Sequence, residues 1–345
     1  FFYVIYFIQG VVQVAVYLSV YVLGVELLGP KYRKLTGVSV NYFYTFGQII
    51  LTGIAYATQH WKWIEIIISL VPALYFCYYW VLSESVQWLL CHGEHKKAKK
   101  ILLKAAKFNN VKLPEGLLDN LEAEKQAKHR ESVLDIFRRG RFCLISFNIW
   151  FNWLANALVY YGLSLNSAKL AGNPYLNFLL TGLVELPSLT VVMLLIDRVG
   201  RRKLFMAFML LAGVACMSTA FTPSHLSTLA TTLAMVGKFG VTASYSIIYL
   251  MTAEVFPTAV RNVGMGVSSM CGRVGGILAP QILLIGDYAG PLPLIIFGAM
   301  SIFGGGIAML LPETTGKPLA QNLKDTQPSS VKVQPTGNGA SDDLL

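Results

Sequence analysis

Residues 175–196 read YLNFLLTGLVELPSLTVVMLLI, residues 197–203 read DRVGRRK, and residues 204–221 read LFMAFMLLAGVACMSTAF. Each flank is an apolar run near the ~20 residues a helix needs to cross the hydrocarbon core of a bilayer. The link between them is short and carries Asp197 with Arg198, Arg201, Arg202 and Lys203. A brief, strongly basic connection between two spanning runs predicts a transmembrane hairpin whose turn faces the cytoplasm. Pro187 lies inside the first flank, which membrane helices tolerate.

The same pattern repeats outward from this hairpin. Apolar runs of spanning length fall near 1–28, 37–58, 63–82, 142–163, 175–196, 203–221, 227–251, 261–284 and 291–311. Over the 345 residues, 54% are hydrophobic and 13% charged, about half the charge of a soluble domain. A soluble chain so poor in charge could not cover its surface, so single-domain enzymes, secreted scaffolds and nucleic-acid binders drop out. Alternate loops (29–36, 83–141, 197–203, 252–262 and the tail from 312) hold 24 of the 28 lysines and arginines. The opposite loops hold Lys62 and Lys169. This bias puts the first set in the cytoplasm and explains the net charge of +10 as topology. It predicts a multi-pass membrane protein with a cytoplasmic carboxyl-terminal tail.

The segment 83–141 alternates basic residues with Glu at helical spacing from Glu94 to Lys107 and from Glu115 to Arg130. It predicts short amphipathic helices on the inner membrane face. The five cysteines are scattered without C-x-x-C spacing; Cys77, Cys216 and Cys271 sit in apolar runs and read as packing residues. The five histidines have no metal-ligand or nucleophile partner, so no catalytic residue, metal site or cofactor is assigned. The chain opens Phe-Phe-Tyr, without Met or a charged leader, and reads as a fragment that begins inside a membrane helix, with no signal peptide.

Four motifs on the cytoplasmic side carry a family resemblance. They are Glu84-Ser85-Val86-Gln87-Trp88-Leu89-Leu90, Asp197-Arg198-Val199-Gly200-Arg201-Arg202, Ala253-Glu254-Val255-Phe256-Pro257-Thr258-Ala259-Val260-Arg261-Asn262 and Leu311-Pro312-Glu313-Thr314-Thr315-Gly316-Lys317-Pro318-Leu319. Together they resemble the major facilitator superfamily. Gly237-Lys238-Phe239-Gly240-Val241-Thr242-Ala243, with Gly266-Val267-Ser268-Ser269, looks most like the organic cation/carnitine (zwitterion) transporters within it. The resemblance runs from residue 1 to about Leu323. It implies an all-α membrane protein with about nine of twelve transmembrane helices, lacking the first three. Residues 1–82 would be the last three helices of the amino-terminal bundle and 83–141 a cytoplasmic inter-bundle segment. Residues 142–311 would be the six-helix carboxyl-terminal bundle, and 312–345 a mostly disordered cytoplasmic tail.

The resemblance also implies a function: secondary transport of small organic cations or zwitterions across the cell membrane by alternating access. Organic anion transport, sugar transport and a truncated non-transporting paralogue are the alternatives. Na+ or H+ coupling is left open. The partners implied are the solute and the bilayer; neither nucleic acid nor an obligate protein partner is indicated. Two positions depart from the pattern. Val86-Gln87 stands where the family usually has Pro-Arg, and Ser246 and Arg273 stand where organic cation transporters often carry acids.

Candidate residues fall in two sets. Asp197 ends a span with Arg198, Arg201 and Arg202 after it, an arrangement that pairs in one state and releases in another. Glu84, Glu254, Arg261 and Glu313 lie at other inner helix ends and join this candidate cytoplasmic lock. The second set is intramembrane. Glu185, Lys238 and Arg273 each lie between apolar flanks, where a charge costs ~2.5 kcal/mol or more and usually faces a cavity or a partner. Pairing of Glu185 with Lys238 or Arg273 and direct work on substrate both satisfy that cost. In the resembling family, their positions line or neighbour the central path, and Gln13 matches a polar position. Trp153, Asn156 and Tyr160 share a helical face. They read either as packing or as an aromatic wall that holds a quaternary ammonium at ~0.5–2 kcal/mol per ring. Tyr245 is assigned to the same substrate-binding set.

Overall fold

A computed structural model describes residues 2–27, 33–73, 84, 86, 89, 94–111, 140–167, 172–223, 225–257 and 260–316. All regular elements among them are helices: α1 (Phe2–Leu27), α2 (Arg33–Thr58), α3 (Trp61–Ala73), α4 (His95–Phe108), α5 (Gly140–Asn166), α6 (Pro174–Val199), α7 (Arg201–Ala220), α8 (Ser227–Val255), α9 (Arg261–Ile285) and α10 (Leu292–Ile307), which runs into a 3-10 turn at Ala308–Leu310. The expected amphipathic stretch from Glu115 to Arg130, Cys77, and the tail beyond Gly316 lie outside the described residues.

Seven of these helices are long and apolar enough to cross a membrane. Of the nine expected spans, the other two correspond to α2 and α3. In α2, Asn41, Thr45, Gln48 and Thr52 form a polar stripe at helical spacing, which lowers its mean hydropathy. For α3 only thirteen residues are described.

Local chemistry sets the helix ends. Asn173 caps α6, its Oδ1 accepting from the Tyr175 amide at 2.9 Å, and Pro174 occupies the first helical turn, where its missing N–H costs nothing. Gly200 separates α6 from α7 with φ of 95°, a left-handed conformation cheap only for glycine.

Helices α5 to α10 pack closely on one another: α9 against α5, α8 against α7 and α6, and α10 against α7 and α5. At Gly275 of α9, an added Cβ would overlap the Leu154 carbonyl of α5, so these two helices meet at a distance only small residues allow. The interior of this group is apolar, with Trp153, Phe205, Met209, Ile247 and Phe256 all buried. Helix α2 lies against α6 and α8, and α1 touches α2 and α9. A polar seam between α2 and the α5–α10 group results, and the candidate functional site lies along it.

Candidate functional site

A cavity of about 220 Å³ opens where α1 and α2 face α5, α6, α8 and α9. Gln13 and Tyr17 line it from α1, and Asn41, Tyr44 and Thr45 from α2. Tyr160 and Tyr161 come from α5, Glu185 and Leu189 from α6, Thr242, Tyr245, Ser246 and Tyr249 from α8, and Arg273 from α9. Six tyrosines and two opposite charges therefore share one small space.

Glu185 is the hub. It is buried, and its Oε1 accepts from Tyr160 Oη at 2.7 Å and lies 2.9 Å from Lys238 Nζ; its Oε2 accepts from Thr45 Oγ1 at 2.9 Å. Lys238 is also buried, donates to Ser164 Oγ at 2.6 Å and places Nζ 3.2 Å from the centre of the Tyr160 ring. A buried charge persists only when paired and hydrogen-bonded, and here both members are.

Arg273 differs. Its Nη1 donates to Tyr161 Oη at 3.4 Å, and among the described residues it forms no ion pair. The two spans that supply Glu185 and Lys238 pack directly together, whereas Arg273 approaches from α9 on another side of the cavity. The lining therefore carries one carboxylate already neutralised by Lys238 and one guanidinium without an anion. Beside it the tyrosines form a continuous aromatic surface: Tyr245 stacks on Tyr160 (5.6 Å, 18°), and Tyr249 meets Tyr245 (5.4 Å) and Tyr17 (5.8 Å) edge-on. Thr242 Oγ1 is buried in this wall and has no hydrogen-bond partner among the described residues.

Of the intramembrane residues expected to touch substrate, Gln13, Tyr160, Glu185, Tyr245 and Arg273 line the cavity. Three do not. Trp153 is fully buried, its Nε1 donating to Thr252 Oγ1 at 2.8 Å, and its ring lies 4.2 Å from that of Tyr249. Asn156 turns to Ser244, whose Oγ donates to Asn156 Oδ1 at 2.5 Å. Lys238 stands one layer behind the wall, covered by Tyr160 and Glu185. For all three the side chain points at another helix of the α5–α10 group, where its polar atoms find partners. Asn41, Thr45, Tyr44 and Tyr249 were not among the expected residues; the polar stripe of α2 is the signal that would have exposed the first two.

A second cluster joins the helix ends around the α6–α7 turn. Arg201 is buried, with Nη1 3.1 Å from Asp197 Oδ1 and Nε 3.4 Å from Glu254 Oε2. Thr314 Oγ1 donates to Glu254 Oε2 at 2.5 Å. Glu313 caps α7, accepting from the amides of Arg201 (2.9 Å) and Arg202 (3.2 Å) and from Thr315 Oγ1 (2.7 Å). Burial alone would raise the Glu313 carboxyl, but these hydrogen bonds outweigh it and hold it below the ordinary carboxylate range. An added Cβ at Gly200 would stand 2.9 Å from Glu313 Oε2 and displace that carboxylate, and the φ of 95° itself favours glycine at the turn. Arg202 Nη1 donates to the Met309 and Leu311 carbonyls at 3.4 and 3.3 Å. Arg261 is buried and braces the turn after α8, its Nε donating to the Ala253 carbonyl at 2.8 Å.

Two residues of the expected lock fall outside this cluster. Arg198 is exposed on the last turn of α6. Glu84 is exposed near α4, where its field adds to the dominant Glu94 hydrogen bond in holding Lys97 above the ordinary lysine range. Neither side chain points into the packed junction of α6, α7 and α8.

The described residues thus form a bundle with seven membrane-length helices, a polar cavity between helix groups and a charged cluster at one set of helix ends. The profile of the Sugar (and other) transporter family matches residues 3–323, and the chain belongs to that family, within the major facilitator superfamily. It is 40% identical to an organic cation transporter protein of Drosophila melanogaster, covering 95% of this chain and 62% of that protein. It is 38% identical to solute carrier family 22 member 3 of Rattus norvegicus and 35% identical to member 2 of Homo sapiens, covering 93% of this chain and 58% of each. The chain thus spans about three-fifths of the length of these relatives. Among solved structures, the fold is similar to that of the proton:xylose symporter XylE bound to 6-bromo-6-deoxy-D-glucose, with TM-score 0.65 and 17% identity over 87% of this chain and 68% of that one.

Proposed function

We propose that this chain forms the larger part of a secondary transporter for small organic cations and zwitterions, working by alternating access in the plasma membrane with its carboxyl-terminal tail in the cytoplasm. One observation carries the reading: Arg273 faces a tyrosine-lined cavity without an anion, while Glu185 is already paired with Lys238. A guanidinium cannot shed its proton, so a solute carboxylate completes it. The tyrosine faces suit the cationic end of the same solute. The names of the relatives support the cationic half of this reading. The Asp197–Arg201–Glu254 cluster serves as the cytoplasmic lock: two carboxylates share the one Arg201 guanidinium, and the Asp197 side of the cluster is exposed to solvent, where an ion pair costs little to exchange.

The excess positive charge also favours a second reading, transport of organic anions. Uptake of labelled carnitine, tetraethylammonium, an organic anion and glucose by the full-length protein separates the readings. Saturable carnitine uptake is expected. Uptake of the anion alone supports the second reading, and uptake of glucose alone would sink both.

A further inference from the structure

From the arrangement behind the cavity wall we infer that Lys238 is a specificity-determining residue that never touches the solute: it acts as a tethered internal cation that occupies Glu185 and disfavours simple monovalent cations relative to zwitterions. The inference rests on the substrate reading above and extends it to a residue that does not line the cavity.

A lysine ammonium has three N–H donors and no acceptor. The surroundings of Nζ match that number: Glu185 Oε1 at 2.9 Å, Ser164 Oγ at 2.6 Å and the Tyr160 ring at 3.2 Å from its centre. No donor is left for a solute carboxylate, so Lys238 does not act as a binding group. What it supplies is charge. Among the described residues Glu185 is the only carboxylate in the lining, and a carboxylate beside an aromatic face is the usual seat for an organic ammonium. Here Lys238 already sits in that seat. Seen from the cavity, Glu185 and Lys238 cancel, and the surplus charge is that of Arg273. A lone cation entering the cavity meets a net positive wall. A zwitterion meets Arg273 with its carboxylate and is not repelled overall.

The arrangement also explains how Glu185 can lie in the lining without serving as the solute's counter-ion. Its Oε1 is held within the α5–α10 group by Lys238 and Tyr160, and its Oε2 is turned across the seam to Thr45. Removing the Lys238 charge leaves the Tyr160 and Thr45 hydrogen bonds in place and returns the carboxylate's charge to the cavity.

The test is the ratio of tetraethylammonium to carnitine uptake per molecule at the cell surface, in the full-length protein and in Lys238→Gln, Glu185→Gln and the double variant. A unit charge at cavity distances in a partly solvated site shifts occupancy by about tenfold or more. Lys238→Gln is therefore expected to raise the ratio at least tenfold, Glu185→Gln to lower it, and the double variant to return it to the parental value. An unchanged ratio in Lys238→Gln overturns the inference. So does retention of both single variants inside the cell with the double variant at the surface, which marks a purely structural ion pair. If the unaltered protein moves neither probe, the substrate reading fails, and this inference falls with it.

Discussion

Thr45 on α2 donates its hydroxyl to Glu185 on α6 at 2.9 Å, so the buried ion pair of the α5–α10 group is tied to a helix on the other side of the cavity. The tie is part of a ladder. Tyr42 meets Thr190 at 2.6 Å on one side of it, and Gln48 donates to Thr181 at 3.1 Å on the other. The residue order is antiparallel, 42, 45, 48 against 190, 185, 181, so successive turns of α2 each find a partner on α6.

Thr45→Val keeps the shape of this contact and deletes the hydroxyl. Inter-helix hydrogen bonds in membrane proteins average ~0.6 kcal/mol, with a maximum near ~1.7. The variant is expected to separate α2 from α6 about threefold more often. Modification of a cysteine introduced at Ser246, measured with a water-soluble thiol reagent on a cysteine-free background, should accelerate by that factor. No change in rate would show that the ladder does not hold the seam closed.

Arg273→Lys keeps the charge and loses the bidentate fork. Because Arg273 is not the partner of Glu185, the exchange leaves the buried pair intact, and surface expression is expected to persist. Carnitine uptake should fall about tenfold, the order of one lost charge-assisted hydrogen bond, while tetraethylammonium uptake changes far less. Equal loss of both probes together with surface expression would make Arg273 a structural residue.

Trp153 separates packing from binding. Its ring is fully buried against Tyr249, so Trp153→Ala is expected to cost ~3–5 kcal/mol and to abolish surface expression. Trp153→Phe should reach the surface with ordinary carnitine affinity and reduced thermal stability, because it removes the indole donor to Thr252 Oγ1 while that hydroxyl still donates to the Ile248 carbonyl. A raised KM for carnitine at unchanged stability would return Trp153 to the binding wall.

Glu313 ties the last described turn to the start of α7, and its effect depends on pH. Its carboxyl is held below the ordinary range in the folded protein. The stabilisation is therefore complete above the unfolded value of ~4.3. It is lost as pH falls from there through the lower folded value. Glu313→Gln is expected to lower stability near neutral pH by ~0.5–2 kcal/mol, the scale of a lost cap. Thermal melts of the purified protein and the variant should differ at pH 7 and converge only below about pH 4. Parallel melts at every pH would mean that the cap carries no charge effect.

The membrane class was legible in the chain because it depends on quantities that add along a line. Run length against bilayer thickness, as at 175–196 and 204–221, needs no knowledge of neighbours, and neither does the placing of lysines and arginines in alternate loops. The α6–α7 junction was legible for a related reason: Asp197, Gly200 and Arg201 are close in sequence, and a helix end brings them together. What only the tertiary structure decided is which way each side chain turns. Trp153, Asn156 and Tyr160 share a helical face, yet only Tyr160 reaches the cavity, since α8 offers Thr252 and Ser244 to the other two. Glu185 had two candidate cations of similar standing. The packing of α6 against α8 puts Lys238 at 2.9 Å and leaves Arg273 to the cavity. Helix order and rotation settle such choices, because a buried charge takes whichever partner the neighbouring helix presents, and nothing local to Glu185 specifies that neighbour.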